Sequence, residues 1–151
     1  MPRRLVIMTL TDQCYLVGPV MAPRRTSQRE AIKEVFQTAD RPLSTPEVLA
    51  AAQALRPGLG IATVYRTLKL LIRDGWLDTV RLPSLPPRYE IAGRPHHHHF
   101  YCNVCGRAFT VPGSQPLLDA LVPPVFVLEH HDLVLYGRCA ACAAAPAAAG
   151  T

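Results

Sequence analysis

The sequence predicts an α+β fold in two parts: a winged helix-turn-helix, then a smaller domain of strands and one helix organised around a four-cysteine zinc site. Three observations predict it. Three short stretches with helical spacing of apolar residues precede two strand-like segments joined by PSLPP; the pattern turns to strands after AGRP; and this second part carries two Cys-x-x-Cys pairs. A chain of 151 residues can form one domain or two small ones, and a second domain this small needs metal or a partner chain for stability. The expected boundaries are 1–23 for an N-terminal extension with a basic arm and 24–92 for the winged helix, then 96–142 for the metal-binding domain and 143–151 for a disordered, alanine-rich tail.

Taken in order, residues 1–22 place Arg3 and Arg4 before LVIMTL and faintly resemble a secretory signal, but Asp12 and Gln13 break the apolar run and no cleavage site follows. Met21 is an alternative start, since MAPRRTSQRE opens with a basic arm that leads into a helix. No apolar run approaches the roughly 18 residues of a membrane span, and four of the five cysteines fall in pairs, so a soluble, cytoplasmic protein is expected. Helix one is capped by Thr26 or Ser27, with Ala31, Ile32, Val35 and Phe36 inward. In helix two, Ser44 or Thr45 caps, Pro46 takes the first position, and Val48, Leu49 and Leu55 form the face. Helix three, IATVYRTLKLLIRDG, buries Val64, Leu68, Leu71 and Ile72 and stops at Gly75. WLDTVRL and RYEIAG then form the hairpin, or wing. The second part reads as strand, cysteine pair, strand, the helix QPLLDALV, and a long strand VFVLEHHDLVLYGRC with the second cysteine pair at its end.

Charge separates the two parts. Residues 1–94 hold 14 Lys/Arg against 8 Asp/Glu, a net +6, while residues 95–151 hold 2 against 3, a net −1. A basic first part implies a polyanion partner, and three helices with a wing make double-stranded DNA the expected one. Arg24 and Arg25 of the arm and Thr63, Tyr65, Arg66 and Lys69 on the open face of helix three are the candidate contacts, to phosphates and base edges.

Cys102, Cys105, Cys139 and Cys142 follow C-x2-C, 33 residues, C-x2-C. Zinc takes a tetrahedral, all-sulfur shell, and with no open position such a site is structural. Two disulfides or a thioredoxin-like redox pair are the competing readings, but neither pair opens a helix after a buried strand. The run His96–His99 is internal and short, unlike a purification tag. Side chains alternate across a strand, so His97 and His99 share one face while His96 and His98 share the other. For the first face the nearest oxygen ligands are Glu90 and Asp78, which would fasten the wing to the second domain; for the other, His131 joins, with Glu129 or Asp119 as further candidates and His130 and Asp132 as weaker ones.

In RRTSQRE, ATVYRTLKLL, RYEIAG, HHHHFYCNVCGR and LYGRCAAC, from Arg24 to Cys142, the chain closely resembles the ferric uptake regulator family of bacterial metal-dependent repressors. The resemblance implies a homodimer with an N-terminal winged helix and a C-terminal α+β dimerisation domain. It also implies a structural zinc on the paired cysteines and a regulatory divalent metal at the hinge that closes the dimer onto a palindromic operator. Tyr65 and Arg66 fall on the family's DNA-reading helix, Glu90, His97 and His99 on its hinge site, and His96, His98 and His131 on its second dimerisation-domain site. Two positions depart from iron-responsive members: Pro42 stands for a histidine and Thr110 for an acid. Unbroken HHHH and Asp78 within WLDT look more like the zinc-uptake branch, although a hinge cysteine near Ala92 is absent; Pro42 also disfavours the peroxide-sensing branch. Imidazole-rich sites favour zinc over manganese or iron. The expected role is a repressor of metal-uptake genes, neither an enzyme nor a binder of a small-molecule substrate. Rival readings are a zinc hydrolase, which lacks a general base in a pocket, and an adapter that uses zinc only to fold.

Overall fold

A computed structural model describes residues 24–113, 118 and 121–145, with the side chains of 24–26 excepted. The extension 1–23, Asp119, most of the expected helix QPLLDALV and the tail from 146 lie outside the described residues. The elements are α1 (Arg24–Ala39), β1 (Leu43–Ser44), α2 (Thr45–Leu55), α3 (Ile61–Arg73), β2 (Leu77–Val80), β3 (Arg88–Ile91), β4 (His97–Cys102), β5 (Ala108–Pro112), β6 (Val134–Gly137) and α4 (Ala140–Ala144). This is an α+β fold with three helices and a wing leading into a second sheet.

The first core forms where the apolar stripes of α1, α2 and α3 meet. Ile32, Val35 and Phe36, then Val48 and Ala52, then Val64, Leu68 and Leu71 are all buried, closed by Leu59 and Leu77. Trp76 sets its ring edge against Phe36, with centroids 6.2 Å apart. α3 ends as expected, with Gly75 at φ +68°, a left-handed turn that favours glycine. Two expectations are corrected. α1 runs back to Arg24, directly behind Pro23, because nothing in Arg24–Thr26 breaks a helix; Ser27 lies inside it and not at its start. Leu55 is exposed, since it is the last residue of α2, and Ala52 takes the inward place.

β2 and β3 pair antiparallel, Asp78 opposite Glu90, and the short β1 adds to the other side of β3. In the second sheet β4 is central, antiparallel to β5 and parallel to β6. The long strand expected over 125–139 shrinks to β6, because 125–132 finds no partner strand among the described residues and unpaired backbone does not hold a strand. The expected tail also begins inside α4, which carries Cys142. Val80 and Leu82 of the wing pack on Ala108, Tyr101 and Val134, so the two sheets share a small second core.

α2 opens on Ser44, whose N–H and Oγ–H both donate to Glu47 Oε2, at 2.9 and 2.7 Å. Burial works to raise the Glu47 carboxyl, but these bonds and the Arg41 guanidinium hold it below its ordinary value of 4.5. A depressed carboxylate stabilises the fold above its unfolded value and loses that contribution as pH falls through the folded one. Glu47→Gln is therefore expected to lower stability by about 1–2 kcal/mol near neutrality. The gap from the wild type should persist down to about pH 4.5 and close below it, as read from denaturant midpoints across pH.

Candidate metal centres

The cysteine centre is built by strand register. Cys102 ends β4 and lies opposite Gly137 of β6, which delivers Cys139 two residues later at the head of α4 and Cys142 one turn on. Glycine suits position 137, since a Cβ would stand a tight 3.1 Å from Phe100 Cζ. The first pair sits in a tight knuckle: Cys102 N donates to Arg107 O and Gly106 N to Cys102 O, both at 2.9 Å, with Gly106 at φ +69°. All four sulfurs lie within 4.8 Å of one another. Backbone N–H groups of Cys105 and Cys139 aimed at Cys102 draw its thiol down to about 6, and the Cys139 N to Cys102 Sγ distance is 3.3 Å. The Cys142 thiol goes the other way, pushed up to about 12 by its bond to Cys139 and by burial. One thiolate is thus prepared to attract a cation, and the other protons leave when a metal takes their sulfurs. A closed set of four sulfurs fits zinc.

The histidines divide across β4 as alternation requires. On one face Glu90 Oε1 stands 3.0 Å from His97 Nε2 and 3.5 Å from His99 Nε2. Burial raises the Glu90 carboxyl and the His99 and His97 rings more than reverse this, keeping it below its usual value. His97 Nδ1 lies 2.8 Å from Pro95 O, a contact in which the ring nitrogen donates and which turns Nε2 towards Glu90. Glu90 Oε2 and His99 Nε2 are buried with no hydrogen-bond partner. Buried orphans of this kind are uncommon, and a divalent cation among these three groups would satisfy them.

On the other face His96 Nε2 and His131 Nε2 are 3.1 Å apart and His98 packs against both rings. His98 is 2 % exposed, its Nε2 has no partner, and burial together with the neighbouring imidazoles depresses its basicity. A neutral, buried imidazole is a ligand form. The donor sets of both faces fit a borderline metal.

The structure gathers Glu90, His97 and His99, and separately His96, His98 and His131, as expected. Asp78 is a correction: it faces the same way as Glu90, but it stands on the edge strand β2, stays exposed and is not brought into the group. Glu129 is exposed outside both clusters, and His130 turns to solvent with Asp132 at 3.6 Å. Thr110, the position where iron-responsive members carry an acid, lies opposite His99 in the register with its Oγ1 buried and unpartnered. On α3, Tyr65, Arg66 and Lys69 are exposed, while Thr63 is half-buried with its Oγ1 3.5 Å from Arg66. Arg24 and Arg25 open α1; their side chains lie outside the described ones.

Residues 21–119 match the ferric uptake regulator family. The chain belongs to that family. Like its members, it is a metal-responsive transcription regulator and not an enzyme, which removes the hydrolase reading. This regulator is 34% identical to the ferric uptake regulation protein of Bordetella parapertussis over 88% of its own length and 97% of the relative's. It is 31% identical to that of Campylobacter upsaliensis over 78% of each chain. Its fold is similar to a zinc-bound manganese uptake regulator, with TM-score 0.67, 26% identity and coverage of 78% and 91%. It is likewise similar to the Vibrio cholerae ferric uptake regulator, with TM-score 0.60, 26% identity and coverage of 74% and 88%. Among the described residues no helix is long and apolar enough to cross a membrane.

Proposed function

We propose that this family member is a cytoplasmic, zinc-sensing repressor of metal-uptake genes, binding a palindromic operator as a homodimer. Residues 24–92 serve as its DNA-binding domain and 96–142 as its dimerisation domain. Cys102, Cys105, Cys139 and Cys142 hold the structural zinc; Glu90, His97 and His99 hold the regulatory ion; His96, His98 and His131 form a second dimerisation-domain site. The single observation that carries the reading is that Glu90 comes from the wing while His97 and His99 come from β4, beyond the hinge.

When bound, a divalent cation supplies positive charge shared by ligands from both sides of the hinge. The chain's own residues do the rest. Without that charge Glu90 and the two rings no longer reinforce the closed arrangement, which then rests on the small core around Ala108, and the turn at Gly93, with φ +76°, lies where the parts join. To shift such an equilibrium the closed form must bind the ion about a hundredfold to ten-thousandfold better, and ligands that converge only on closure provide that preference. Support for a dimer comes from Val125, Phe126 and Val127, exposed apolar residues on a segment with no partner strand in the described chain. The preference for zinc rests on two imidazoles per carboxylate in one site and three imidazoles in the other. The fold neighbour, a zinc-bound manganese uptake regulator, favours keeping manganese as the second reading, and the ferric uptake regulation relatives favour keeping iron beside it.

Binding of the dimer to a palindromic operator at buffered free zinc, manganese and iron(II) tests the proposal. Zinc should give the tightest complex at the lowest free concentration; equal binding without metal would sink it. On α3, Arg66→Ala is expected to weaken the metal-loaded complex about tenfold. It should also lower the slope of log affinity against log salt by about 0.9 per lost phosphate contact.

A further inference from the structure

Among the described residues Arg88 is the one buried Lys or Arg, and only 8 % of its side chain is exposed. It lies on β3, on the face it shares with Val80, turned towards the second sheet. Nη1 donates to Glu47 Oε2 at 2.9 Å, Nη2 donates to Gly106 O at 2.6 Å, and the guanidinium lies over the Tyr101 ring at 5.5 Å. Glu47 belongs to α2 of the helix-turn-helix, and Gly106 closes the knuckle directly after Cys105. One side chain therefore joins the element that supports the reading helix to the loop that carries two cysteines.

The kind of acceptor matters. A side-chain acceptor could follow a moving loop by rotating, but Gly106 O is backbone, its direction fixed by φ +69° and by the Gly106 N–H bond to Cys102 O. It stays in place only while the knuckle keeps its shape. A buried guanidinium that loses such a partner is left with an unmatched charge, which is costly.

We infer that Arg88 is a positioning residue coupling the four-cysteine centre to the helix-turn-helix. An intact knuckle steadies the start of α2 through the guanidinium, and a knuckle stripped of its metal loosens that hold while the helical core stays folded. Coupling between two sites is reciprocal, so α2 also steadies the knuckle. The inference rests on the reading of the four cysteines as a structural metal site.

The test loads the full chain with cobalt(II), whose thiolate absorption reports the cysteine centre apart from the histidine sites, and follows its loss to a chelator. Arg88→Gln is expected to lose cobalt about tenfold faster, the worth of a charged hydrogen bond. Glu47→Gln, remote from the cysteines in sequence, should move the rate the same way. Arg88→Lys keeps the charge without the fork and should fall between; a rate equal to wild type would mean that charge alone acts and would overturn the coupling. Amide exchange over 45–55 should quicken in the wild type as cobalt leaves, and should be fast with or without cobalt in Arg88→Gln. Unchanged cobalt loss in both folded Gln variants would also overturn it. If no thiolate absorption appears in the wild type, the metal reading itself fails and takes the coupling with it.

Discussion

Replacing Cys102 by serine is expected to collapse the chain beyond residue 96 while the helical core of α1, α2 and α3 survives. Cys102 is wholly buried, ends the central strand β4 and accepts the N–H of Cys139. The apolar core around it is slight: Ala108 with Val80 and Leu82 buried, and Leu85, Tyr101 and Val134 half-buried against them. Structural zinc in comparably small folds contributes about 10–16 kcal/mol, against a total stability of about 5–15 kcal/mol for a whole domain. A cluster this small cannot replace it. The serine variant should fall one zinc short per chain, lose the cooperative melt of the second part and aggregate, yet keep most of its helical circular dichroism. Cys139→Ser should behave alike. A variant that melts as the wild type does would show that the sulfurs do no structural work.

The helices were legible in the sequence because each buries a stripe at three- and four-residue spacing with its own stop, as Gly75 shows for α3. The division of HHHH across β4 was legible for the same kind of reason: alternation in a strand is a local rule, and it brings Glu90 to one pair and His131 to the other. What stayed hidden depends on distance along the chain. β1 is two residues long and exists only because β3 lies beside it. The Glu47–Arg88 pair spans 41 residues and leaves no local signature. Residues 125–132 open on the apolar run VFVL, which suits a strand, but a strand is a relation between two segments, and among the described residues the second is missing. Asp78 stands outside the group at Glu90 because register gives the face of the sheet and not how near its edge a side chain stands.

Replacing His97 and His99 together by alanine is expected to abolish metal-dependent DNA binding, a change of about a hundredfold to ten-thousandfold in the ratio of loaded to unloaded affinity. The dimer and the cysteine centre should be untouched. The two rings are the contribution of β4 to the group at Glu90, so without them the wing keeps its carboxylate but has nothing across the hinge to share an ion with. Glu90 would then be a buried acid relieved of the neighbours that hold its carboxyl down, and burial alone would raise it. Mobility shifts across buffered free zinc, with sedimentation to check the dimer, measure the loss of metal dependence. Retained metal dependence would move the switch to His96, His98 and His131 on the opposite face of the same strand. The paired variant His96→Ala with His131→Ala separates the two cases, because alternation along β4 lets either face be emptied while the other keeps its ligands.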